Sequence, residues 1–271
     1  MTDILRCTSC GGTVRYVVER GGGACVFCGA TTLEVHHPDT PPESPSGYVP
    51  PTVDLATAVD RFRQWASSSF WYPKALRDAE VELAPLWLPA YRIAARLTVH
   101  YAGLVRAATR SGKRPVSGTV AYADEVYVPA SGALTEGEVA ALEPFDASAA
   151  VPPTERPTGA EWAEETPQRS RRFARARGRA RMTDRAAAYV AHTEGLSTCN
   201  VSPTFHDEDV GLFAVPVYVG TFRYKDRPRR LLVNAQTGEI VGKAPLDMLK
   251  IALTVLAVLA ALALATLYFA R

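Results

Sequence analysis

Four cysteines stand in two C-x-x-C pairs, Cys7-Thr8-Ser9-Cys10 and Cys25-Val26-Phe27-Cys28, with fourteen residues between them. Each pair forms a tight knuckle that aims two thiolates at one ion. Two knuckles give the closed tetrahedral sulfur set of a structural Zn²⁺ site. Gly11 and Gly29 follow the pairs directly, where the turn needs a backbone conformation open mainly to glycine. No coordination position is left open, so the expected role is structural. Metal binding worth roughly 10–16 kcal/mol would fold a module too small for a core of its own. Thr13 to Glu19 alternate imperfectly and Gly21-Gly22-Gly23 supplies a turn, which predicts a β-hairpin carried between the knuckles. His36 and His37 read as linker residues rather than surplus ligands.

A second set of residues could meet anions. Arg169, Arg171, Arg172, Arg175, Arg177, Arg179, Arg181 and Arg185 are eight arginines set against one Asp between 169 and 185. Alanine fills most of the gaps, so a helix running through His192 is predicted despite Gly178. On a 100° wheel the arginines spread around the helix. Three readings stay open: a solvated helix, contact with anionic lipid, and contact with RNA or DNA backbone. Phe173 is the one interleaved aromatic, which weakens the last.

Catalytic signatures are missing from the sequence: it contains no Gly-rich phosphate loop, no H-E-x-x-H and no nucleophile elbow. Neither an enzymatic activity nor a small-molecule substrate is expected. Cys199 reads as a buried thiol, His100 as a polar-face histidine, and Asn200-Val201-Ser202 as a glycosylation acceptor on the wrong side of a membrane.

That membrane enters through Ile251–Ala270, IALTVLAVLAALALATLYFA, twenty residues without a charge. Twenty helical residues span about 30 Å, the hydrocarbon thickness of a bilayer. Only Arg271 follows, and no apolar N-terminal signal precedes Cys7. The expectation is a single-pass tail anchor, inserted after synthesis. Lys243, Lys250 and upstream arginines put the N-terminal part in the cytosol by the positive-inside rule, at the cell's inner (plasma) membrane. Five cysteines with two C-x-x-C pairs, in a chain of 271 residues and net charge +2, agree with a reducing compartment and disfavour a dedicated nucleic-acid binder.

Between ribbon and anchor the chain divides by composition. Residues 1–34 are the zinc ribbon. Residues 35–53 hold six prolines within the seventeen from His36 to Thr52 and read as a semi-rigid spacer that lets the ribbon sample space. Residues 54–245 are the main domain, and 246–271 the anchor. In the main domain Asp54 caps a helix with Leu55, Val59, Phe62 and Ala66 on one face. Tyr91 to Gly103 alternates as a strand, with Thr119 to Val128 as its partner. Thr135 and Glu138 form a capping box on a short helix. Gly211 to Tyr224 reads as a strand broken by Pro216, and Arg230–Asn234 and Glu239–Gly242 as short strands around a turn. Leu88-Pro89-Ala90-Tyr91 is echoed by Val215-Pro216-Val217-Tyr218, a hint of internal duplication. The class is α+β: a small N-terminal ribbon, an antiparallel-sheet main domain and one C-terminal transmembrane helix.

Several blocks in order carry a family resemblance. They are Trp65 through Pro73, Pro85-Leu86-Trp87 through Tyr101-Ala102-Gly103, and Val128-Pro129-Ala130-Ser131. Leu142-Glu143-Pro144-Phe145-Asp146, Gly159-Ala160-Glu161, Val215-Pro216-Val217-Tyr218 and Leu232 through Gly238 to Pro245 continue the series. Together they resemble bacterial and archaeal zinc-ribbon membrane proteins often mislabelled primosomal or helicase-related. Ala235 stands where that family commonly has Gly, and the arginine tract is denser. The resemblance implies no established enzymatic activity and an association with SPFH or PspA-type (phage-shock) membrane-maintenance systems. The expected function is a tail-anchored adaptor that recruits protein partners to the cytosolic membrane face. The alternative is a membrane-tethered nucleic-acid binder using ribbon and arginines.

Overall fold

The computed structural model describes residues 2–17, 23–38, 41–108, 112–157, 162–225 and 227–269. The glycine turn at Gly21-Gly22, the block Gly159-Ala160-Glu161 and Arg271 lie outside them. The chain is α+β. The elements run β1 (Thr2–Cys7), β2 (Thr13–Val17), β3 (Leu33–Val35), β4 (Gly47–Tyr48), α1 (Leu55–Ser67), α2 (Lys74–Arg77), β5 (Val81–Arg106) and β6 (Lys113–Pro129). Then follow α3 (Glu136–Leu142), β7 (Ala163–Glu165), α4 (Arg171–Thr193), β8 (Leu196–Tyr224), β9 (Arg227–Asn234), β10 (Ile240–Gly242) and α5 (Met248–Phe269). The strands join one sheet in the order β10-β9-β8-β5-β7-β2-β1-β3, with β6 added to β5 and β4 to β8.

The sheet is organised around the antiparallel pair β5 and β8, 26 and 29 residues long. At the usual rise β5 extends on the order of 80 Å. The alternation from Tyr91 is therefore the visible middle of a longer strand. Leu86 to Tyr91 is buried at every position, which hides its period. Pro216 does not break β8. Proline lacks an N–H, and here the adjoining strand is ending. The Pro216 carbonyl accepts from Ala235 N (3.0 Å), and Ala235 O takes the N–H groups of Thr52 and Val53 instead. Pro89 repeats the device: its carbonyl accepts from Ala130 N, and Ala130 O takes Gln168 N and Arg169 N.

These two sites are one arrangement used twice. β4 runs parallel to β8 with Gly47 and Tyr48 opposite Phe213 and Ala214; β7 runs parallel to β5 with Ala163 and Glu164 opposite Leu86 and Trp87. After β4 comes Pro51-Thr52-Val53-Asp54, with Asp54 capping α1 through Thr57 N. After β7 comes Pro167-Gln168-Arg169-Ser170, with Ser170 capping α4 through Phe173 N. The echo seen in the sequence is thus a repeat of strand, helix, long strand and return strand, each unit lending its first strand to the other unit's long one.

Helix α4 lies on the sheet through Ala174, Gly178, Met182, Ala186 and Val190, all buried at intervals of four. A Cβ at Gly178 would sit 3.0 Å from the Ile93 side chain, so the close approach explains a glycine in mid-helix. Helix α1 buries Ala58, Phe62 and Ala66 against Phe222, Leu231 and Val233. Thr135 and Glu138 make the anticipated capping box at α3.

Two expectations about the N-terminal region change. Among the described residues the ribbon's hairpin forms across the first knuckle rather than between the two: β1 and β2 flank that knuckle, and β3 pairs with β1 on its other side. Nor is the spacer a free linker, since Ser46 N donates to Leu212 O, Gly47–Tyr48 joins β8, and Tyr48 and Val49 are buried. The ribbon itself continues the main sheet through β2 and β7. Composition reads the prolines as extended chain, and extended chain is also what a sheet edge accepts.

Candidate metal centre

The two knuckles are built alike. Cys7 N donates to Gly12 O and Gly11 N to Cys7 O; Cys25 N donates to Ala30 O and Gly29 N to Cys25 O, all within 2.8–2.9 Å. Gly11 and Gly29 adopt φ of +78° and +73°, the left-handed region that favours glycine. Gly12 is small for another reason: a Cβ there would meet the Phe27 ring at 2.6 Å.

This geometry gathers the sulfurs of Cys7, Cys10, Cys25 and Cys28 within 4.8 Å of one another. Cys7 and Cys28 are 3.7 Å apart, Cys10 and Cys25 3.6 Å. A tetrahedral ion with metal–sulfur bonds near 2.3 Å requires edges of about 3.8 Å, so the set fits such an ion. Burial raises the Cys7 thiol, but the amides of Cys10 and Ser9 outweigh it and bring its pKa down to about 7. Burial pushes Cys25 up to about 11 and raises Cys10 as well. The protein therefore stabilises the Cys7 thiolate and resists ionisation of Cys10 and Cys25 until a cation shares the space. His36 and His37 are not part of the cluster.

The centre is welded to the main domain. Cys7, Val14, Cys25 and Phe27 belong to one core with Leu86, Leu88, Leu134 and Leu142. The ribbon thus borrows a core that its own length could not supply. At the seam, Val14 and Arg15 of β2 pair with Glu165 and Glu164, and Thr166 N donates to Thr13 O at 2.8 Å.

Glu165 is 1% exposed. Ser131 Oγ donates to its Oε1 at 2.7 Å, while Oε2 has no partner among the described residues. Burial pushes this carboxyl up to about 8, against the hydrogen bonds from Ser131 and the Gly132 and Ala133 amides. Below pH 4.5 the folded and unfolded chains both hold the proton. As pH rises from 4.5 to about 8 only the folded chain keeps it, so stability falls across that window and then levels. Glu165→Gln should remove the decline. Urea midpoints of the two proteins should diverge above pH 4.5, the variant becoming the more stable by on the order of a few kcal/mol near pH 8. Parallel pH profiles would show that Glu165 does not titrate in this way.

The arginines of α4 are spent within the fold. Arg171 pairs with Glu43 (2.6 Å), Arg175 and Arg179 with Glu208 (3.1 and 2.5 Å), Arg177 with Glu136 (2.9 Å) and Arg181 with Glu143 (3.0 Å). Arg169 lies 4.0 Å from Glu136, and Arg185 reaches Asp124 and Glu143. They spread around the helix because acids flank it on both sides. Arg172 is exposed. Exposed pairs of this kind contribute about 0.2–1 kcal/mol each, so their collective effect is to fix the helix on the sheet. Arg171 Nη1 also donates to Val210 O, and Val210 pairs with Ile93, about 40 Å along β5 from Val81.

Val81 marks the end of the sheet where α5 is rooted. Asp247 N donates to Trp71 O, and Lys250 Nζ donates to Phe70 O and Tyr72 O, both at 2.8 Å. From there α5 runs 22 residues, long and apolar enough to cross a membrane, with none of them buried against the rest of the chain. Phe70, Trp71, Met248 and Leu249 are exposed beside its base.

The other singled-out residues have ordinary surroundings. His100 is exposed and shares a hydrogen bond with Thr119 Oγ1, 2.9 Å from its Nδ1. Cys199 packs at the margin of the α4 core. Glu165 and Thr166 had no sequence signal, because a carboxylate in a polar stretch reads as solvated. No family model, no curated protein and no solved structure matches the chain.

Proposed function

We propose that the chain is a zinc-ribbon scaffold held at the cytosolic face of the plasma membrane by α5, where it gathers protein partners. The metal is Zn²⁺ in this reading, since four thiolates in a closed tetrahedron suit it and leave no site for substrate. The observation that carries the reading is the continuity of ribbon and main sheet through β7, together with an anchor rooted at the Val81 end of the same sheet. A ribbon fixed at a set place on a membrane-rooted sheet presents a constant surface. Exposed Phe70 and Trp71 beside the anchor suit the headgroup layer, where aromatic residues concentrate. Pairing of the α4 arginines with acids leaves little free charge for a nucleic-acid backbone, which favours protein partners. By resemblance, SPFH or PspA-type membrane-stress proteins are the partner class to test first.

The experiment is crosslinking in intact membranes with the natural chain and with Cys7, Cys10, Cys25 and Cys28 all replaced by serine. A defined protein set captured by the first and lost with the second is expected. Recovery of RNA or DNA in a salt-sensitive manner, without protein partners, would replace this reading with the nucleic-acid one.

A further inference from the structure

The seam between ribbon and main domain holds a cavity of about 460 Å³. It opens where β1, the chain after β3 and the start of α4 converge. Arg6 enters from the ribbon and Arg169 from the segment before α4. Thr166 forms part of its wall; this residue is 6% exposed, and its hydroxyl has no hydrogen-bond partner among the described residues. That hydroxyl oxygen is closed off from the cavity space, so the groups that meet an occupant are the guanidinium groups.

Charge in the cavity is positive. Glu43 is the one carboxylate among the described residues that line it, and Arg171 (2.6 Å) and Tyr91 Oη (2.8 Å) already hold its two oxygens. Arg169 lies over the Phe173 ring (5.3 Å) and 4.0 Å from Glu136, which Arg177 binds more closely. Ser170, the cap of the 23-residue α4, also borders the space and brings the positive end of that helix to it.

The repeat shows that the fold does not need this chemistry. The equivalent hollow at the start of α1 is lined by Thr52, Val53 and Asp54, with Tyr218 in the place of Tyr91. Pro50 stands at the position of Thr166, and Val53 at that of Arg169. One copy is neutral to acidic; the other carries guanidinium groups. Guanidinium forks match phosphate oxygens in pairs. The volume lies in the range of small-molecule sites, about 300–1,000 Å³, and exceeds that of a bare ion. Pro41, Pro42 and Pro167 offer apolar faces to an organic body.

We propose that this cavity binds the phosphate group of a small phosphomonoester, which ties the ribbon to the main domain. The test uses the metal-loaded full chain in neutral detergent and in lipid nanodiscs. Calorimetry is run with inorganic phosphate, glycerol phosphate and a nucleoside monophosphate. Discs containing phosphatidic acid are compared with discs of phosphatidylcholine alone. Saturable one-to-one binding is expected, weakened about tenfold or more by Arg169→Ala. Arg6→Ala should also weaken it several-fold while leaving the ligand-free unfolding midpoint unchanged, because Arg6 is exposed on β1. Binding of a soluble ester identifies a free metabolite as the source, and binding confined to phosphatidic-acid discs a lipid headgroup. The absence of binding to every probe at millimolar concentration, or binding indifferent to both substitutions, would overturn the assignment. Neither result bears on whether the ribbon recruits proteins.

Discussion

Cys25→Ser is expected to release the metal and unfold residues 2–35 while β5 and β8 keep their amide protection. Cys25 is 4% exposed and supplies one quarter of the sulfur set. Structural metal binding contributes roughly 10–16 kcal/mol, far above the other forces holding the ribbon. Those are three short strands, two residue pairs and the Thr166–Thr13 backbone hydrogen bond across the β2–β7 seam, and the burial of Val14 and Phe27. Full burial of one such side chain contributes about 1.5–3 kcal/mol, too little to hold the module once the ion is gone. The β5–β8 pair continues on both sides of the seam and packs on α1 and α4, so it should not follow. Hydrogen exchange by mass spectrometry, alongside metal analysis, checks this. Retained protection at Cys7 and Val14 in a metal-free sample would show that the borrowed core alone folds the ribbon. Loss of protection throughout β5 would show that the seam couples the two parts cooperatively.

That contrast explains what could be read from residues alone. Local chemistry was legible. The C-x-x-C-G knuckles, the Asp54 cap, the Thr135–Glu138 box, the alanine-rich course of α4 and the uncharged tail each depend on residues a few positions apart. Whatever depends on distant partners was not. Arg171 finds Glu43, Arg177 finds Glu136, and Thr13 meets Thr166, across separations that no periodicity records. Pro89 and Pro216 argue for strand ends, and they do mark where β6 and β9 stop, but β5 and β8 run on beneath them. β7 is three residues long, too short for any pattern, yet it carries the strand pairing of the junction. The duplication left four residues of likeness in the sequence because only hydrogen-bond geometry was kept; at Thr166 and Arg169 the side chains diverged from Pro50 and Val53.

Removal of residues 248–271 should move the chain from the membrane pellet to the supernatant with its sheet intact. None of the residues of α5 is buried by the rest of the protein, so its loss deletes no core contact. Twenty-two helical residues extend about 33 Å, enough for the hydrocarbon layer. In water the same surface would be an apolar patch far beyond what soluble chains carry. The full chain should therefore resist extraction by alkaline carbonate, and the shortened one should be soluble with unchanged far-ultraviolet circular dichroism. A milder change sharpens the test. Leu259→Arg places a charge near the middle of α5, where insertion costs about 2.5–3.5 kcal/mol. It should lower the membrane fraction without touching the fold. Lys250 shows why position decides the cost: its ammonium is at the base, where the Phe70 and Tyr72 carbonyls accept its hydrogen bonds. A full chain washed from membranes by carbonate, or a shortened chain that still pellets with them, would mean that α5 serves as a packing helix for a partner rather than as a span.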